Sequence, residues 1–169
     1  MKELEKSTLV HLFQHNLWAN QRLLDTCADV DEAVLEADAV GTYGRIKDTL
    51  VHLLAAEERY VTLLTGDPPE TPLHEKQGFP GFDALREHAQ RSGRALIALA
   101  AEDPHDRLLR GEYGSRAYAM PVSLPLLQAI NHATEHRAQI MTILTQQGVE
   151  PPSLDGWAYG REVGLEGVG

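Results

Sequence analysis

Apolar residues recur every three or four positions in four long stretches of this chain, and Gly- or Pro-rich breaks separate the stretches. The first covers residues 4–28, with Leu9, Phe13, Leu17, Leu24 and Cys27 at helical spacing. "GTYG" precedes the second, over residues 45–64, which stops at "TGDPPETP". The third covers residues 82–101. The fourth starts near "PVSLP", where Ser123 is a candidate cap and Pro125 fits the first turn, and it ends at Gly148 before "EPP".

Four helices of about 20 residues sharing one core predict an all-α fold, a four-helix bundle. "RLLRGEYGSRAYAMPV", between the third and fourth helices, reads as a long loop or a short hairpin. The bundle is expected to form one domain over residues 1–160, with residues 161–169 as a loose, glycine-rich tail.

Helical phase then sorts the polar residues. On the fourth helix, at about 100° per residue, Leu126, Ile130, Ala133, Ile140, Met141 and Leu144 share one arc. His132, His136 and Gln139 cluster at its border. Residues i and i+4 stand one turn apart, so the two imidazoles can converge on a single point. On the second helix the arc is Ile46, Leu50, Leu53, Leu54, Val61 and Leu64, and His52 lies at its border. Three histidines from two helices can hold one ion and leave positions open for water or substrate. His11 and His15 have the same spacing but lie off the stripe of Leu9, Phe13 and Leu17, which suits a solvated or partner-facing role. His74 and His105 fall in connections and read as solvated, and His88 as a surface or boundary residue.

Two charges sit inside apolar arcs: Glu57 on the second helix and Arg137 on the fourth. Burying either alone is costly. The phases predict that they pair directly, clamping together the helices that carry the histidines.

Composition narrows the function classes. The chain has 169 residues and a net charge of −10, from 25 acids against 15 bases, and no run of Lys or Arg. Nucleic acid is therefore not an expected partner. No apolar run approaches the roughly 20 residues that cross a membrane, and the lone Cys27 excludes an intrachain disulfide. A cytoplasmic protein with Cys27 in its core is the expectation.

Four segments in register, "HNLWANQRLL" (15–24), "GTYGRIKDTLVHLLAAEERYV" (41–61), "INHATEHRAQI" (130–140) and "PPSLDGWAYGRE" (151–162), carry a resemblance. The chain resembles the DinB/YfiT-like family of metal-dependent proteins. That resemblance implies an up-down-down-up course of the four helices, a homodimer, and one divalent metal on three histidines that match His52, His132 and His136. The family often has histidine where Glu135 stands and glycine where Ala138 stands; neither change touches the expected ligands.

Nickel and zinc both suit imidazole ligands. Uncompensated metal charge acidifies bound water and ionises bound thiols. Relatives in the wider superfamily resemble thiol S-transferases, which implies a low-molecular-weight thiol co-substrate and a small-molecule electrophile. Metal-dependent hydrolysis and a non-catalytic stress-response role stay open. Catalytic residues are not fixed by the sequence. Glu135 and Gln139, bordering the histidines, are the candidates, and the absence of an H-E-x-x-H arrangement tilts the reading toward thiol chemistry. In the tail, Asp155, Trp157 and Tyr159 are candidates for covering the pocket or for packing.

Overall fold

A computed structural model describes residues 7–102 and 107–165 of the chain. The protein is mostly helical with a small two-stranded sheet. Four long helices carry the core: α1 (Thr8–Ala28), α3 (Ile46–Thr65), α4 (Phe82–Ala101) and α5 (Ser123–Gln146). A shorter helix α2 (Glu32–Leu35) and a 3-10 turn (Glu75–Gln77) lie in the connections, and a short helix α6 (Gly156–Glu162) follows α5. No helix among the described residues is long and apolar enough to cross a membrane.

The ends of these helices follow local chemistry. Ser7 precedes α1 and its hydroxyl accepts the Val10 N–H at 3.3 Å. α3 stops at Gly66, whose φ of 82° is left-handed and whose N–H closes on the Thr62 carbonyl. Ser123 does not cap α5: it is the first helical residue, and Val122 stands at the cap position with no side-chain bond. Pro125 is buried within the first turn of that helix, where its missing N–H costs nothing.

Each long helix packs on two others: α1 on α4 and α5, and α3 on α4 and α5. Contacts along them fix their directions. Arg86 meets Asp25 and Gly93 meets Leu17, so α4 runs opposite to α1. Leu126 and Ala129 share a core cluster with Val10 and Phe13, whereas Ile140, Ile143 and Leu144 share one with Leu23 and Leu24, so α5 runs with α1. Ile46 with Leu85 and Leu64 with Leu96 set α3 alongside α4 in the same direction.

The segment between α4 and α5 is a hairpin. β1 (Leu108–Tyr113) pairs antiparallel with β2 (Arg116–Pro121), with Leu108 opposite Pro121. A two-residue Gly114-Ser115 turn joins them, and Gly114 at φ 60° supplies the left-handed step that such a turn needs. Residue 160 lies within α6. Asp155 caps that helix by accepting the N–H groups of Trp157 and Ala158 at 2.8 Å each, and Glu162 pairs with Arg22 at 2.8 Å.

Candidate metal centre

α3 and α5 bring their border histidines face to face. Ring nitrogens of His52, His132 and His136, one from each, all lie within 4.8 Å of one another, and the Nε2 atoms of His52 and His132 are 3.1 Å apart. His136 is buried; His52 and His132 are partly buried. Three imidazoles so close can hold a metal ion.

Neighbouring groups decide where the ring protons sit. Gln139 Oε1 accepts the backbone N–H of Tyr43 at 3.1 Å, so it is an acceptor atom; His136 Nδ1, 3.0 Å away, must therefore carry its proton and donate. That leaves Nε2 of His136 with a free lone pair. Glu75 Oε2 lies 3.2 Å from His52 Nδ1. The ring does not aim this N–H squarely at the oxygen, so the contact is a close dipole–charge contact rather than a well-formed hydrogen bond. A carboxylate only accepts, so it favours the proton on Nδ1 and again frees Nε2. Glu75 in turn accepts Tyr43 Oη at 2.9 Å and Arg59 Nη1 at 2.9 Å. His52, Arg59 and Tyr43 together outweigh its partial burial and hold its carboxyl below the usual range.

Burial favours the neutral form of His52 and His132. It lowers the His52 pKa, with Glu75 opposing the shift. His132 is pushed down to about 4, by burial first and then by the neighbouring imidazoles of His136 and His52. Neutral imidazole is the form that binds metal. Aromatic rings wall the centre: Tyr43 stacks on His52 with centroids 3.9 Å apart, and Tyr60 meets His132 edge-on at 5.9 Å. Beside His52 a cleft of about 310 Å³ is lined by Tyr43, Gly44, Asp48, Val51, Glu75 and Gly78.

Of the two candidate catalytic residues, Gln139 contacts a histidine of the trio, whereas Glu135 is exposed on α5. Glu75 and Tyr43 were not singled out as site residues by sequence reasoning. Tyr43 sits within "GTYG", but nothing in that string says where its ring points. Glu75 lies in a connection, where helical periodicity carries no signal.

Glu57 and Arg137 are both buried, as their phases predict, yet they form no direct ion pair. Two asparagines of α1 stand between them. Arg137 Nη1 donates to Asn16 Oδ1 and Asn20 Oδ1 at 2.7 Å each, and the amide nitrogens of the same residues donate to Glu57 Oε2 at 2.8 and 3.1 Å. An arginine only donates, so each amide must turn its oxygen to Arg137 and its nitrogen to Glu57. Ser92 of α4 donates to the other Glu57 oxygen at 2.6 Å. The predicted direct clamp is thus a relay through side chains long enough to fill the gap. Burial raises the Glu57 pKa and brings Arg137 down to about 10, each shift opposed by the other charge.

The remaining candidates lie elsewhere. His15 Nε2 bonds the Leu154 carbonyl at 2.8 Å, and its ring packs on Trp18 and Tyr159, so Tyr159 packs against α1. Trp157 is exposed, and Asp155 serves as the α6 cap. His88 is partly buried, with Nδ1 2.6 Å from Glu58 Oε1. His74 is exposed, His11 is partly buried, and His105 lies outside the described residues. Cys27 is fully buried and its thiol is pushed up to about 12, which leaves it inert at neutral pH.

A search of curated proteins finds no match. Among solved structures, the chain is similar in fold to a DinB-like protein from Bacillus cereus ATCC 10987, with a TM-score of 0.64 and 18% identity, over 86% of this chain and 94% of that one. The model of the DinB family matches residues 1–163, nearly the whole sequence. The chain belongs to the DinB family.

Proposed function

We propose that this protein holds one divalent metal ion, nickel or zinc, on His52, His132 and His136, and uses it to activate a low-molecular-weight thiol for S-transfer to a small electrophile. The observation that carries the reading is the convergence of three ring nitrogens within 4.8 Å, with Gln139 and Glu75 drawing the protons of His136 and His52 to the opposite side of each ring. The site has the donor set for such an ion: neutral, soft enough for nickel or zinc, and with three protein ligands, which leaves coordination positions open. A divalent ion on three neutral imidazoles supplies a strong Lewis acid that favours the ionised form of a thiol.

The chain's own residues favour thiol chemistry over hydrolysis. Water-based hydrolysis wants a carboxylate free to take a proton. Glu75 is the carboxylate beside the trio, and it is committed to Arg59, Tyr43 and His52, which hold it ionised and weakly basic. Glu135 is exposed. Gln139 cannot accept a full proton; its role here is to orient His136.

In this reading the four long helices form an up-down-down-up bundle within one domain over residues 1–160, working as a cytoplasmic homodimer. The directions and pairings of α1, α3, α4 and α5 support that course.

The test is turnover by zinc- or nickel-loaded protein with a panel of small thiols and a fluorogenic electrophile, beside an ester substrate without thiol. Thiol-dependent product formation, lost in His52→Ala, supports the reading. Ester cleavage without thiol would favour the hydrolase, and metal binding with neither activity would favour a non-catalytic, stress-related role.

A further inference from the structure

Tyr43 meets both halves of the frame around the histidines. Its hydroxyl donates to Glu75 Oε2 at 2.9 Å, the same oxygen that faces His52 Nδ1. Its backbone N–H donates to Gln139 Oε1 at 3.1 Å, the same oxygen that accepts from His136 Nδ1. Its ring lies flat on His52, 3.9 Å away at 17°, and meets His136 edge-on at 5.5 Å. One residue of a connecting turn thus touches two of the three histidines and both of the groups that fix their tautomers.

The turn that carries it is well anchored. Gly41 adopts a left-handed φ of 87°, and the Thr42 hydroxyl bonds the Ala39 carbonyl at 2.8 Å. The N–H of Ile46, the first residue of α3, bonds the Ala37 carbonyl at 3.1 Å. The turn is therefore tied to the start of the helix that bears His52, and Arg59 of the same helix holds Glu75 from the other side at 2.9 Å. Tyr43 remains about half exposed, so its ring is the outer cover of the trio.

We propose that Tyr43 is the positioning residue of this centre: it couples Glu75 to Gln139 and thereby holds the rings of His52 and His136 with their Nε2 atoms turned to a common point. This rests on the metal reading given above. Tyr43 makes no hydrogen bond to a ring nitrogen of the trio; it acts through Glu75, through Gln139 and through its stacked ring. Truncation to alanine removes the stack and the hydroxyl, so both the orientation of His52 and the hold on Glu75 are lost. Phenylalanine keeps the ring and the backbone N–H and removes only the bond to Glu75.

The experiment is titration of metal-stripped, untagged protein with Co²⁺, followed by visible absorption with a competing chelator. Wild type, Tyr43→Phe, Tyr43→Ala and Glu75→Gln are compared, with circular dichroism to confirm folding. Loss of such outer partners typically lowers metal affinity about 10–100-fold, which is the fall expected for Tyr43→Ala and Glu75→Gln, with a smaller fall for Tyr43→Phe. The absorption band of Tyr43→Ala should also shift, because the ligand geometry changes. Wild-type affinity and spectrum in folded Tyr43→Ala would overturn the proposal while leaving the metal site standing. Should Tyr43→Ala not fold, an unchanged affinity in Tyr43→Phe would overturn it instead. A wild type that takes up no Co²⁺ would overturn the metal reading itself, and the proposal with it.

Discussion

At the scale of single residues, the centre is a set of proton positions imposed by neighbours. Gln139 and Glu75 each present an oxygen to the Nδ1 side of a ring, and the free lone pairs are left facing one another. This arrangement makes the metal-free protein sensitive to acid. Burial and adjacent imidazoles lower the His132 pKa from 6.5 to about 4, and burial lowers that of His52. Between the unfolded and folded values the unfolded chain binds more protons, so stability is full above about pH 6.5 and is lost as pH falls toward 4. Urea midpoints of the metal-free protein should fall over that interval, and they should fall less in His132→Asn. An equal fall in both proteins would remove His132 from the account. The trio was legible in the sequence, because an i, i+4 pair and a third histidine at arc borders define a direction on each helix. Glu75 was not, since it reaches the site from a 3-10 turn in a connection that periodicity does not describe.

At the scale of elements, spacing located the four long helices to within a few residues, and the third coincides with α4. The hairpin Leu108–Pro121 stayed open between two readings, because its strands lack the strict alternation that would decide. α6 escaped notice for a similar reason: seven residues rich in glycine carry no period, and only the Asp155 cap marks its start. The α1–α4 contact depends on a position that sequence alone leaves unexplained. A Cβ at Gly93 would stand 2.7 Å from Leu17 Cδ1 and 3.0 Å from Leu17 Cβ, so the glycine lets the two helices approach. Overpacking of this kind costs about 1–3 kcal/mol, against a helix-propensity gain of about 1 kcal/mol from replacing glycine. Gly93→Ala should therefore destabilise by on the order of 1 kcal/mol in chemical denaturation. Adding Leu17→Ala should cost less than the sum of the two single changes, since the closest clash, with Leu17 Cδ1, is then gone and only the approach to Cβ remains. Strict additivity would contradict the close-approach account.

At the scale of the whole molecule, the buried polar relay joins all four long helices: Asn16 and Asn20 on α1, Glu57 on α3, Ser92 on α4 and Arg137 on α5. Helical phase showed that Glu57 and Arg137 point inward, but phase gives direction and not reach, so the two amides between them were not foreseen. Arg137 directly follows His136, and the relay thus fixes α5 against its neighbours at the level of the centre. Removing one buried charge leaves the other unpaired, at about 3–5 kcal/mol. Arg137→Met should show a loss of that order in denaturation midpoints, and Glu57→Gln made in the Arg137→Met background should cost less than it does in wild type. A loss below about 1 kcal/mol for Arg137→Met would mean that the relay is not holding the helices.

The most direct test of the central claim is metal content in protein purified without a histidine tag, for wild type, His52→Ala and His136→Ala. The account predicts one equivalent of nickel or zinc per chain in wild type, or on reconstitution, and its loss in both variants while the helical circular dichroism persists. A wild type that binds no divalent metal, or variants that keep it, would contradict the assignment of His52, His132 and His136 as a metal centre.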